Sequence, residues 1–406
     1  MVLSQSVWRP SRHWLIPFGS DGQPGSSQPK FNKAGDHCQP KPIQTSISSS
    51  KEYLVILIIT RLLGDKPVVQ VRDMLQAQGA EVMVIGPETM EKDASFKIHY
   101  SSPGRPQALL RLADREFDLA KDIKSTWIWR SWRPEPLLAQ YANLVKHPDE
   151  WNFFSNEWAA FYKSVTTALQ YNGVFCVNPP PFHDAFEEKC AQLWIAADVG
   201  LTIPTTLYTA HLPYAQDFYH EHADSIIYKP FRPFFKVVPT KPGEQSKIAK
   251  LLTNRVSAQH FDTAKQAIPT PGIFQPYVEK QFEIRIVVIG RELFACAIDS
   301  QNSERSREDW RRYDLKNTPY TPYELPADLA DKIRRYMDRL GLVFGSIDMI
   351  VTPEGEHIFL EINPNGQFDW IAQLSGLPIY EHLVAMLRAG SMDYKAELEP
   401  EVLHAE

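Results

Sequence analysis

The 406-residue chain is 43% hydrophobic, enough to bury more than one core, so two or three domains are expected. A formal net charge of −6 gives no global signature for nucleic acid, and no apolar run approaches the roughly 20 residues that span a bilayer. Cys38, Cys176, Cys190 and Cys296 lack metal-ligand spacing and sit mostly in apolar runs, which suits reduced, inert thiols in a soluble cytoplasmic protein.

Residues 1–50 are rich in Ser, Gln, Pro and Gly, without hydrophobic periodicity, and read as a disordered extension; a transit peptide or a mobile tail fits the same composition. From Tyr53 the pattern turns α/β. Tyr53 to Thr60 is an apolar strand, Lys66 to Gln78 a helix with Val68, Val71 and Leu75 on one side, and Ala80 to Ile85 a second strand. The loop Arg61 to Asp65 lacks G-x-G-x-x-G, which argues against a nucleotide there. Phe186, Cys190, Leu193, Trp194 and Ala197 follow at helical spacing until Gly200, with Lys189 at the edge of that apolar face. By itself such a lysine reads as solvated.

Lys229 ends the short strand Ser225 to Lys229, where a cation flanked by Ile and Tyr needs a partner such as a phosphate, or else marks a surface edge strand closed by Pro230. Ile273 to Lys280 begins as a buried strand, and Ile284–Ile289 with Glu292–Ile298 form a hairpin about Gly290-Arg291. That alternation puts Glu283 and Arg285 on one face. Asp309 to Asp314, with Trp310, Arg311 and Arg312, is a charged stretch. Pro326 to Leu340 and Ile379 to Arg388 read as structural helices.

The richest segment is Gly345 to Trp370. Apolar residues alternate in Ile347, Met349, Val351 and in Ile358, Leu360, Ile362, around the polar turn Thr352 to His357. Pairing Val351 with Ile358, Met349 with Leu360 and Ile347 with Ile362 sets Asp348 opposite Glu361, and Asn363 shares the face of Glu361. Two carboxylates and an amide on one sheet face suit a hard cation that bridges nucleotide phosphates.

Asp348 followed by Glu361-Ile362-Asn363-Pro364-Asn365-Gly366-Gln367 resembles the metal-binding end of the ATP-grasp ligases. The longer run from Phe344 through Ile371 to Ile379 is most similar to the branch that matures ribosomal peptides, the microviridin-type or graspetide synthetases. The resemblance implies an α/β ATP-grasp fold with an N-terminal pre-ATP-grasp domain at 51–180, a central subdomain at 181–272, a C-terminal subdomain with the metal site at 273–395, and a tail at 396–406.

It further implies roles. Lys189 and Lys229 reach the ATP phosphates, and the loop Phe231 to Ser246, with Lys236 and Lys241 beside Lys247, closes over them. Gln275, Tyr277 and Val278 form the hinge against adenine, and Glu279 takes the ribose hydroxyls. Asp348, Glu361 and Asn363 hold Mg²⁺, two ions being expected. Arg285 and Arg311 contact the reacting carboxyl or phosphoryl group. The tryptophan-arginine run at Trp129 to Arg133 corresponds to a family segment with paired arginines, interrupted here by Ser131. The implied activity joins Asp or Glu side chains of a precursor peptide to Ser, Thr or Lys through acyl phosphates. A homodimer is implied, with no nucleic-acid or membrane partner. A glutamate-ligase-like enzyme that adds a free amino acid, and a non-catalytic nucleotide-binding regulator, are the competing expectations.

Overall fold

The computed structural model describes residues 55–90, 93–101, 106–130, 147–180, 188–231, 234–238, 247–251, 253–263, 270–302 and 318–397. All of these lie in one unit, Glu52–Glu406, so the expectation for residues 1–50 falls outside the described residues.

The first sheet is parallel, in the order β2-β1-β6-β7: β1 (Val55–Thr60), β2 (Glu81–Ile85), β6 (Ile123–Trp129) and β7 (Phe175–Val177). Every residue of β1 is buried, because both faces of this sheet are covered, and the strand therefore reads as a continuous apolar run. Its two faces enter different cores. Val55, Leu57 and Ile59 pack against a three-stranded antiparallel sheet, β3 (Ala94–His99), β4 (Gln107–Leu112) and β5 (Arg115–Asp118), and against the helix α2 (Pro148–Tyr171). Ile56 and Ile58 pack with Val68, Val71 and Leu75 of α1 (Lys66–Ala77), the helical face expected from the sequence.

The central sheet runs β12-β9-β13-β8: β8 (Leu207–Thr209), β9 (Ile226–Lys229), β12 (Asn254–Arg255) and β13 (Gly272–Pro276), all antiparallel. β13 thus belongs to the central sheet, and the change of sheet comes after Pro276. Ile226 and Phe274 face a small core with Ala215, Phe218 and Tyr219 of α4 (Leu212–Glu221), and Phe261 of α5 (Ala258–Thr263) packs against it. The expected loop Phe231 to Ser246 contains a strand, β10 (Phe234–Val238), which pairs antiparallel with β11 (Lys247–Leu251) as a separate ribbon. Its alternation is too short to distinguish from loop, and the connecting residues 239–246, Lys241 among them, lie outside the described residues.

The last sheet has the order β16-β15-β14-β17-β18: β14 (Phe282–Ile289), β15 (Glu292–Ile298), β16 (Tyr320–Pro322), β17 (Phe344–Val351) and β18 (His357–Asn363). One face is apolar. Ile284, Ile286, Ile347, Met349, Phe359 and Ile362 pack beneath α3 (Lys189–Asp198) and α6 (Ala327–Leu340), which turn inward Leu193 and Ala196, and Leu329, Ile333, Tyr336 and Met337. The opposite face divides along its length. Val287, Ile289 and Phe344 join the core shared with β1, Trp127, Trp129, α7 (Asp369–Ser375) and α8 (Ile379–Ala389), while the other end carries charge. Among the described residues, no helix is long and apolar enough to cross a membrane.

Candidate active site

The charged end is built by strand register. Arg285 of β14, Asp348 of β17 and Glu361 of β18 stand side by side across three strands, and Asn363 stands opposite Ser346. The expected pairs Asp348–Glu361 and Ile347–Ile362 are present. The next two differ, because a bulge after Asp348 sets Met349 opposite Phe359 and Val351 opposite His357 instead of Leu360 and Ile358. Phe359 is then fully buried in the core and Leu360 only partly buried. Three consecutive apolar residues, Ile358 to Leu360, let either register fill the core, and the turn closes with Thr352 N–H on the Glu356 carbonyl at 2.9 Å.

Charges on this face are matched. Arg285 Nη1 donates to both Asp348 carboxylate oxygens at 2.8 Å, and the two side chains are only 5% and 8% exposed. Its Nη2 donates to the Gln367 carbonyl at 3.2 Å. Lys189, in the first turn of α3, pairs with Glu361. Asn363 Nδ2 lies 3.5 Å from Asp348 Oδ2, at the outer limit of a hydrogen bond. Gly366 is required where it stands: a Cβ there would collide with the Ser346 side chain and come within 2.8 Å of Arg285 Nη2.

Several supporting residues escape sequence reasoning. The buried Gln192 amide bonds the backbone of Ile362, and the buried Asn178 amide donates to the carbonyls of Phe344 and Pro364. Arg130 adopts the left-handed region at φ 63° and pairs with Asp65, Nε to Oδ2 at 3.1 Å, while Trp129 Nε1 donates to the same oxygen at 2.8 Å. The Gln367 amide oxygen, oriented by this network, accepts from Arg130 Nε at 3.3 Å. The first sheet therefore reaches the residue whose carbonyl holds Arg285. Asp65 carries no local signal, since its partner lies 65 residues on.

The central sheet presents the second group of expected residues. Lys229 and Ile273 are register partners, as are Ile227 and Gln275, so Lys229 and Gln275 share the face opposite the small helix-packed core. The Gln275 side chain is buried and donates to Thr206 Oγ1 at 2.9 Å, which makes it a strut. Tyr277 N–H donates to the Ser225 carbonyl at 2.9 Å, and its ring lies under the Arg255 guanidinium, 3.5 Å from the ring centre. Its amide is committed to the fold, so a purine edge at the hinge would fall to Val278, which is half-buried. Glu279 is exposed, and Lys280 beside it is buried against Glu283 at 2.8 Å. Arg311 lies outside the described residues.

The donor set is two carboxylates and one amide. Among the described residues no group of three or more His, Cys, Asp or Glu could hold a metal ion, so a cation here would complete its shell from ligand oxygens and water. That fits Mg²⁺, which usually takes one or two carboxylates together with phosphate oxygens. Cys296, opposite Arg285 in register, is fully buried and its thiol is pushed up to about 11 by that burial.

No family model matches the chain, and no curated protein matches it. Solved structures do. A RiPP-associated ATP-grasp ligase from Chryseobacterium gregarium, in complex with ADP and a leader and core peptide, is 25% identical with a TM-score of 0.70, over 83% of this chain and 97% of that one. The macrocyclase MdnC of Microcystis aeruginosa, bound with precursor peptide MdnA, is 24% identical with a TM-score of 0.68, over 83% and 100%. The ATP-grasp ligase PsnB, complexed with a minimal precursor, Mg and ADP, is 18% identical with a TM-score of 0.61, over 84% and 99%. The expected fold class is thus met.

Proposed function

We propose that this chain, an ATP-dependent ligase with the ATP-grasp fold, activates Asp or Glu side chains of a ribosomally made precursor peptide and joins them to Ser or Thr hydroxyls or Lys amines. The observation that carries this reading is the face on which Asp348, Glu361 and Asn363 stand beside Arg285 and Lys189. It has support from the likeness to a RiPP-associated ligase over nearly the whole of that chain. A carboxylate is a poor electrophile. Its oxygen first attacks the γ-phosphorus of ATP and releases ADP; the hydroxyl or amine then attacks the acyl carbon and phosphate leaves.

Asp348, Glu361 and Asn363 would hold Mg²⁺, which when bound neutralises phosphate charge and polarises the transferred group. Lys189 of α3 and Lys229 of β9 offset charge on the phosphates. Arg285 fixes the orientation of Asp348 through its paired hydrogen bonds. The task is positioning and electrostatics, for which no nucleophilic protein residue is needed. Glu279, exposed after the hinge, is the candidate for the ribose hydroxyls, and Arg311 for the substrate carboxylate. A homodimer in the cytoplasm belongs to the same proposal.

The test is intact-mass spectrometry of an acidic, Ser/Thr-rich peptide encoded beside this gene, incubated with the protein, ATP and Mg²⁺. Loss of one water per linkage, with equivalent ADP formed, is expected. ATP consumption with the peptide mass unchanged would instead direct the search to a free amino-acid acceptor, and absence of ADP release would remove the ligase reading.

A further inference from the structure

Helix α3 touches strand β18 at two points three residues apart. At the first, Lys189 pairs with Glu361. At the second, the Gln192 side chain is 3% exposed; its Nε2 donates to the Ile362 carbonyl at 2.9 Å and its Oε1 accepts from the Ile362 N–H at 3.0 Å. Among the described residues β18 is the last strand in its sheet order, so a peptide pointing away from β17 at Ile362 meets no strand of that sheet. The Gln192 amide supplies what such a strand would: one donor and one acceptor, matched to one residue's backbone.

The location of that residue matters. Ile362 separates Glu361 from Asn363, and its own side chain is buried in the core beneath α3 and α6. Fixing its backbone fixes the direction in which both neighbours project. The helix end is held in turn, since the Tyr336 hydroxyl of α6 donates to the Gln192 carbonyl at 3.4 Å and Leu193 and Ala196 are buried on the sheet.

We propose that Gln192 is a positioning residue that sets Lys189 against Glu361 and Asn363, so that the phosphate-facing cation and the oxygens for the metal are placed as one unit. The proposal rests on the nucleotide-and-Mg²⁺ reading of this face. Outer-shell groups that hydrogen-bond a metal ligand typically lower metal affinity 10- to 100-fold when removed, and Gln192 acts on the backbone between two such ligands.

The experiment is calorimetric titration of the full chain with ADP, once with Mg²⁺ and once with a chelator. In the parent protein Mg²⁺ should strengthen ADP binding. Gln192→Met, similar in volume and without either hydrogen bond, should reduce that Mg²⁺-dependent gain about tenfold or more and leave binding in chelator within about twofold. Leu193→Ala, which loosens the same helix without touching the Ile362 backbone, should lower the melting temperature and keep the gain. Should Gln192→Met fail to fold, Gln192→Asn, one methylene too short to reach, decides the matter by the same ratio. A preserved gain in the Gln192 variants, or an equal loss in Leu193→Ala, overturns the positioning role. A parent protein that binds ADP equally with and without Mg²⁺ would remove the metal reading itself, and the positioning role with it.

Discussion

Glu361 is the residue at which charge can be removed with least change of shape. Its carboxylate pairs with Lys189, and across the ladder it stands beside Asp348, whose carboxylate Arg285 holds in place. Glu361→Gln keeps the volume, and the new amide oxygen can still accept from Lys189. What disappears is the anion that a divalent cation requires. ADP release should therefore fall by more than about 100-fold while the melting temperature stays within a few degrees. Steady-state ADP production beside differential scanning fluorimetry makes the check, and retention of a substantial fraction of turnover would sink the metal assignment.

At the scale of elements, the site is legible where the side-chain period is strict. Asp348, Glu361 and Arg285 fall on one face because their neighbours Ile347, Ile362, Ile284 and Ile286 must fall on the other. The bulge after Asp348 is not legible, since it shifts one apolar residue for another. Nor is anything that depends on distant pairing: Lys189 meets Glu361 172 residues on, and Asn178 meets Phe344 and Pro364 across 166 and 186. The Asn178 clamp, just beyond β7, is also the easiest of these to test. Its amide accepts from the N–H groups of Val343 and Phe344 at 3.0 and 2.8 Å and donates to the Phe344 and Pro364 carbonyls at 2.9 and 2.8 Å. Asn178→Ala leaves those buried backbone groups unmatched, for a loss of about 3 kcal/mol. The urea midpoint should drop accordingly, and an unchanged midpoint would show that the first sheet and the last are not joined through this residue.

On the scale of the whole molecule, the packing around the last sheet buries groups that lose hydration, and stability should follow pH for that reason. His382 of α8 lies edge-on to Phe294, and its Nδ1 donates to the Tyr394 hydroxyl at 3.2 Å, which donates in turn to the Ile289 carbonyl at 3.0 Å. Burial is the main cause that lowers its pKa, against smaller opposing effects of Glu292 and Glu381. His357 of β18 is lowered in the same way, by burial first, and its Nε2 meets the Tyr323 hydroxyl at 2.9 Å. A folded value below the unfolded one means that the unfolded chain binds more protons in the interval between them. Stability from both rings is therefore complete above about pH 6.5, and it is lost as pH falls toward their lowered folded values. Carboxylates titrate lower, so the interval from about pH 7 to 5.5 reports chiefly on histidine. The substitutions His382→Asn and His357→Gln keep a polar atom near Nδ1 in one case and near Nε2 in the other, and neither new side chain titrates. The urea midpoint of the parent should fall across that interval, and the double variant should show a clearly shallower fall. Equal slopes would mean that these two rings are as well solvated in the folded chain as in the unfolded one, and that the packing around Phe294 and Tyr323 is looser than it stands in the structure.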